Sequence, residues 1–166
     1  LEPKEEKIFK RSIPLLKTIK NEISSEVRQQ YEENPYPRWV NTALTLKPYT
    51  VAEAVKLAKI EIFDRCVLDT NAPKILIAGC GTGQHSISTA CRFKDSQVLA
   101  VDLSLSSLSY AKRKTEELGI KNIEYMQADI LDLEKLNGKF DNVESVGVLH
   151  HMRNPMQGWK VLTNCL

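Results

Sequence analysis

Several common functional signatures are missing from this sequence. Its four cysteines, Cys66, Cys80, Cys91 and Cys165, form no CxxC pair. Neither a zinc ribbon nor a disulfide framework is therefore indicated. No apolar run approaches the roughly 18 residues of a membrane helix. The N-terminus is rich in Lys and Glu and has no signal-peptide stretch, so no membrane partner is expected. The formal net charge is only +2, too small to imply a nucleic-acid partner. A reducing, cytoplasmic setting is the simplest expectation. The length of 166 residues suits one domain with an appendage, and folding at this size buries roughly 68–70% of the unfolded surface. The sequence starts at Leu1 rather than Met and stops at Leu166 inside a helix-like pattern, and is read as a piece of a longer protein.

Glycine numbers seven, and three of these stand on alternate positions. The apolar run Ile75-Leu76-Ile77-Ala78 ends at Gly79-Cys80-Gly81-Thr82-Gly83, and a helical pattern follows. A second apolar run, Val98-Leu99-Ala100-Val101, ends in Asp102. A buried strand, a backbone stripped of side chains and a carboxylate at the next strand's tip describe a nucleoside pocket. Asp102 also has a plainer reading, as a helix cap or a solvated strand end beside Ser104.

Residues 1–73 read as a helical arm and 74–166 as alternating strands and helices. In the arm, Ser12 and Pro14 are expected to open a helix bearing one apolar stripe, Leu16, Ile19, Ile23, Val27 and Tyr31. That stripe ends at Asn34-Pro35-Tyr36-Pro37. Thr50 with Glu53 forms a capping box for a second helix, with Val51, Ala54, Val55, Ala58 and Ile62 as its buried face. Strands are expected at Lys74 to Ala78, Val98 to Asp102, Asn122 to Gln127 and Phe140 to Val148. Helices are expected from Gln84 to Phe93, after Ser104 up to Gly119, and after Asn154-Pro155, the last with Met156, Trp159, Leu162 and Leu166 on one side. Strands separated by such helices give a parallel, doubly wound α/β sheet that binds ligands at the carboxyl ends of its strands.

The glycine spacing is GxGxG, and Gln84 stands where a dinucleotide fingerprint needs its third glycine, which weakens an NAD(P)-dependent oxidoreductase reading. The chain instead resembles the class I S-adenosylmethionine-dependent methyltransferases over roughly residues 74–166. Ile75 to Gly83 is similar to their first motif, Tyr125-Met126-Gln127-Ala128-Asp129-Ile130 to the adenine-binding segment, and Phe140-Asp141 through His151 to the fourth strand. The resemblance implies a Rossmann-like fold, here truncated after about four strands, and S-adenosylmethionine as cofactor. It assigns cofactor binding to Gly79, Gly81, Gly83, Asp102, Leu103, Asp129, Ile130 and Val146. The family's acid two residues before the first glycine is replaced by Ile77. The implied activity is methyl transfer to an unknown acceptor. The alternative is a non-catalytic cofactor-binding or scaffolding module, and an open edge on the fourth strand implies self-association.

Other residues divide between chemical and structural readings. His150 or His151 is a base beside the methyl group, or a packed strand-end histidine. The segment Gln30 to Trp39 folds over the cofactor mouth, with Arg38 at the carboxylate end, or pins the arm to the sheet. Cys80 reads as a small turn residue. Lys112-Arg113-Lys114 with Glu116-Glu117 reads as a solvated face, and Lys4-Glu5-Glu6-Lys7 as a frayed terminus.

Overall fold

Ile75, Leu76, Ile77 and Ala78 are buried to 1% exposure or less, because Lys74–Ala78 (β1) is an interior strand covered on both faces. The computed structural model describes residues 3–45, 47–62, 65–136 and 138–166. Its sheet is parallel, in the order β3-β2-β1-β4, with β2 at Gln97–Asp102, β3 at Ile123–Gln127 and β4 at Asn142–Glu144. Ile75 pairs with Val98 on one side and Asn142 on the other. Side chains alternate between two cores. Ile75 and Ile77 pack with Ala90 of α4 (Gln84–Arg92) and with Leu108 and Ala111 of α5 (Leu105–Glu117). Leu76 and Ala78 face Val161 and Leu162 of α6 (Pro155–Asn164), together with Leu133 of the 3-10 turn Ile130–Lys135.

The helix expected to open at Ser12 begins only at Glu22, and a separate helix ends at Ser12. Lys4–Ser12 and Glu22–Glu33 are helical, with an extended connector between them. They are labelled αN1 and αN2. Pro14 has no N–H to continue a helix and drives Ile13 to extended backbone (ψ 120°). The connector then joins the sheet. Leu16 N–H donates to the Gln127 carbonyl (2.9 Å), and Gln127 N–H donates to the Pro14 carbonyl (2.8 Å). Leu16 and Ile19 therefore belong to the connector, and Asn21 caps αN2 by accepting from Ser24 N–H.

The N-terminal charges do not fray. They open αN1, where Glu6 is buried at 3% exposure and Arg113 Nε donates to its carboxylate at 2.8 Å. Arg113 is thus a packing contact of the arm rather than only a solvated charge. The capping box at Thr50 forms as expected on Val51–Ala58 (αN3). Its apolar residues are only partly covered, however. Ala58 is exposed and Ile62 lies beyond the helix, because a groove of about 610 Å³ stays open between this helix and β4.

Two further expectations are corrected. The fourth strand is only three residues long, since Ser145 turns its hydroxyl onto the Ala78 carbonyl (3.0 Å) and Gly147 takes a φ of 71°. On α6 the buried face is Gly158, Val161 and Leu162, while Met156, Trp159 and Leu166 are 72%, 59% and 54% exposed. No helix among the described residues is long and apolar enough to cross a membrane.

Candidate functional site

The turn after β1 is built by three glycines that all adopt positive φ, 78° at Gly79, 53° at Gly81 and 86° at Gly83. Their roles differ. A Cβ on Gly79 would lie 2.3 Å from a Val148 methyl, and one on Gly83 would lie 2.5 Å from Ala111 Cβ. At Gly81 the nearest atom is the Tyr36 carbonyl oxygen, at 3.7 Å. Gly79 and Gly83 are therefore packing requirements, and Gly81 borders open space.

That space is a cavity of about 540 Å³ at the carboxyl ends of the strands, within the range of small-molecule sites. Gly79, Gly81, Asp102, Leu103, Asp129, Ile130 and Val146 all line it. Gly83 is not among the lining residues and faces α5 and the Tyr125 hydroxyl instead.

Asp102 accepts the Gly81 N–H on one carboxylate oxygen (2.8 Å) and the Ser104 N–H on the other (2.9 Å). Ser104, not Asp102, caps α5 through a bond from Ser107 N–H. Burial pushes the Asp102 carboxyl above its usual range, against the pull of the Ser104 and Gly81 donors, and the charge of Glu32 adds to the rise. Asp129 is 5% exposed and accepts the Leu131 N–H at 3.0 Å. Ile77 is buried in the sheet core, so no acid occupies that position.

The arm forms the facing wall. Ile23, Val27 and Tyr31 of αN2, with Tyr36 and Pro37, line the cavity. Trp39 is a buried anchor that donates from Nε1 to the Thr82 carbonyl (3.0 Å), while the Tyr110 hydroxyl donates to the Trp39 carbonyl. The Gln30 to Trp39 segment thus lines the cavity through Tyr31, Tyr36 and Pro37 and pins the arm to the sheet through Trp39. Arg38 is exposed and outside the cavity lining.

His151 lines the cavity and His150 does not. Their rings lie 4.0 Å apart, and Tyr31 meets His151 edge-on at 6.4 Å. Cys80 is buried at 6% exposure and lines the cavity, and burial with the neighbouring Asp102 charge holds its thiol well above the ordinary range, which favours the less nucleophilic thiol.

Two features escaped the sequence reading. Glu32 of αN2 accepts from the Ser104 hydroxyl and the Ser106 N–H, both at 3.0 Å, so the arm helps to cap α5. His85, on the first turn of α4, lines the cavity with Nε2 2.7 Å from Glu144 of β4. That contact is close but too oblique for a straight hydrogen bond. Both pairings join residues far apart in the chain, and no local pattern announces either.

Residues 75–166 match a family model described as "Methyltransferase domain". The uncharacterized protein RP028 of Rickettsia prowazekii is 32% identical over 127 residues, covering 76% of this chain and 48% of that protein. The structure titled PKMT2 from Rickettsia typhi in complex with AdoHcy shares 32% identity over 58% of this chain and 19% of that one, with a TM-score of 0.53. The magnesium protoporphyrin IX methyltransferase (ChlM) of Synechocystis PCC 6803 with bound SAM shares the fold, with a TM-score of 0.59 over 90% of this chain and 74% of that one at 21% identity. The chain spans between 20% and 48% of the length of its first three curated relatives.

Proposed function

Because this chain belongs to the methyltransferase-domain family, we propose that it binds S-adenosylmethionine across the tips of β3, β2 and β1 and positions the methyl group for transfer to a nucleophilic acceptor. The observation that carries this reading is the single cavity shared by Gly81, Asp102 and Asp129. Support comes also from the similar solved structures that hold AdoHcy or SAM.

The residues fit the group. Gly81 offers bare backbone at the cavity wall. Each Asp102 oxygen takes one backbone N–H, which leaves each a further lone pair for a ribose hydroxyl. Asp129 sits buried beside the adenine end with Ile130 as its apolar neighbour, and the backbone at Val146 and the Leu103 turn complete the wall. When bound, the cofactor supplies an activated methyl on a sulfonium, so this chain need not create an electrophile. Its contribution is alignment, worth roughly 7–11 kcal/mol in well-oriented reactions.

The acceptor class stays open between a small molecule, a protein side chain and an RNA base, with nucleic acid disfavoured by the small net charge. A reducing, cytoplasmic setting belongs to the same reading. So does self-association, since β4 pairs only with β1 among the described residues. A monodisperse monomer by light scattering at high concentration would remove the last point.

Calorimetric titration with S-adenosylhomocysteine tests the reading. Binding is expected, and excess NAD is expected not to displace it. Displacement by NAD would restore the oxidoreductase reading. Binding without transfer of labelled methyl to any member of a broad acceptor panel would favour the scaffolding module.

A further inference from the structure

The strand order puts a polarity on the cavity. Asp129 follows β3, Asp102 ends β2, the glycine turn follows β1 and Glu144 ends β4. On the reading above, which this inference deepens, adenine lies at β3 and ribose at β2. The amino-acid end of the cofactor then falls at the β1–β4 side. That end carries a carboxylate, and burying an unpaired carboxylate is costly.

Of the residues lining the cavity, only His85, His151 and Arg153 can carry positive charge. His151 lies tilted against His150 and edge-on to Tyr31. Arg153 lies in the loop leading to α6. His85 alone stands on the element that directly follows the glycine turn, against the carboxylate of β4.

The Glu144 carboxylate is itself fixed. Asn142 Nδ2 donates to Oε1 (2.8 Å) and the Thr89 hydroxyl donates to Oε2 (3.0 Å). Burial raises the Glu144 carboxyl, but the His85 contact and these donors outweigh it and hold the group below its usual range. A fixed anion 2.7 Å from Nε2 orients the ring. No protein group among the described residues bonds His85 Nδ1.

We propose that His85, oriented by Glu144, receives the carboxylate at the amino-acid end of the cofactor. The pair supplies the polar anchor that Ile77 lacks and that Arg38, outside the cavity, does not provide.

Two ligands separate this role from a structural one. S-adenosylhomocysteine carries the amino-acid end, and 5′-methylthioadenosine lacks it. For His85→Gln, calorimetry is expected to show about tenfold or greater loss for S-adenosylhomocysteine, the scale of one charge-assisted hydrogen bond. Affinity for 5′-methylthioadenosine is expected to stay within about twofold, because the missing bond is not made there. Glu144→Gln is expected to give a smaller loss with the same selectivity. Equal losses for both ligands, or no loss, overturn the assignment. So does a selective loss in Arg153→Ala with His85→Gln unaffected. A wild-type chain that binds neither ligand sinks the parent reading instead, which separates the two failures.

Discussion

The Gly81 N–H and the Asp102 carboxylate are joined by a 2.8 Å hydrogen bond that spans the tips of β1 and β2. The acid that faces the cavity therefore also sets the shape of the glycine turn. Asp102→Ala removes both the ribose acceptor and this tie. S-adenosylhomocysteine is expected to bind at least about tenfold more weakly, since charge-assisted bonds are worth roughly 1.5–3 kcal/mol each. The Gly81 amide should exchange faster with solvent. An unchanged dissociation constant by calorimetry would remove Asp102 from the site.

The same carboxylate sets a pH response. Burial raises it above the usual value, so its ionised form is disfavoured in the fold. It costs stability as pH rises from its unfolded value, about 3.9, through the raised folded value. Ligand hydroxyls need the ionised form as acceptor. Affinity for S-adenosylhomocysteine is expected to fall as pH drops through that raised value, and Asp102→Asn is expected to flatten the profile. Parallel profiles for the two proteins would assign the titration elsewhere.

Glu32 shifts the opposite way. Burial alone would raise it, but donors from Ser106 and Ser104 and the Lys10 charge outweigh burial and lower it. Its contribution is present above the unfolded value, about 4.3, and is lost as pH falls through the lower folded value. Glu32→Gln is expected to cost about 1 kcal/mol at neutral pH, on the scale of a lost helix cap. The difference in Tm between the two proteins should close in acid. A constant difference across pH would show that the cap does not depend on charge.

Gly83 and Gly81 separate packing from binding. Gly83→Ala forces a methyl into Ala111 and is expected to cost about 1–3 kcal/mol by chemical denaturation. Gly81→Ala meets only the Tyr36 carbonyl oxygen, in ordinary contact at 3.7 Å, and bears mainly the left-handed backbone cost, roughly 1–2 kcal/mol. It should nevertheless weaken S-adenosylhomocysteine binding, because the new methyl enters the cavity. Undiminished binding in Gly81→Ala would mean that the ligand does not approach this backbone.

The sheet, the glycine turn and Asp102 are legible because β1 and β2 are continuous apolar runs, one ending in the turn and the other in the acid, whereas Asp129 is legible through the resemblance of Tyr125 to Ile130. The arm was misread because Leu16 to Tyr31 keeps a helical spacing across a connector. Pro14 follows the end of one helix there rather than beginning one. Glu6 showed no local sign of burial, since Arg113, far along the chain, supplies its partner. The fourth strand was read too long because Val146 and Val148 continue its apolar pattern after Ser145 has already turned the chain away.

Trp39 and Arg38 are neighbours with opposite expected phenotypes. The Trp39 indole is buried at 8% exposure between Ile87 and Tyr110 and bonds the Thr82 carbonyl within the glycine turn. Truncating a buried aromatic costs about 3–5 kcal/mol, so Trp39→Ala should lower Tm sharply and loosen the arm from the sheet. Trp39→Phe keeps most of the packing and loses the bond to Thr82, at about 1–3 kcal/mol for the carbonyl left unpaired. Arg38 is exposed and lines no part of the cavity. Arg38→Ala is expected to change neither Tm nor affinity for S-adenosylhomocysteine. A loss of affinity in Arg38→Ala at unchanged Tm would bring that guanidinium over the ligand, and the segment's covering role would then extend past Tyr36 and Pro37.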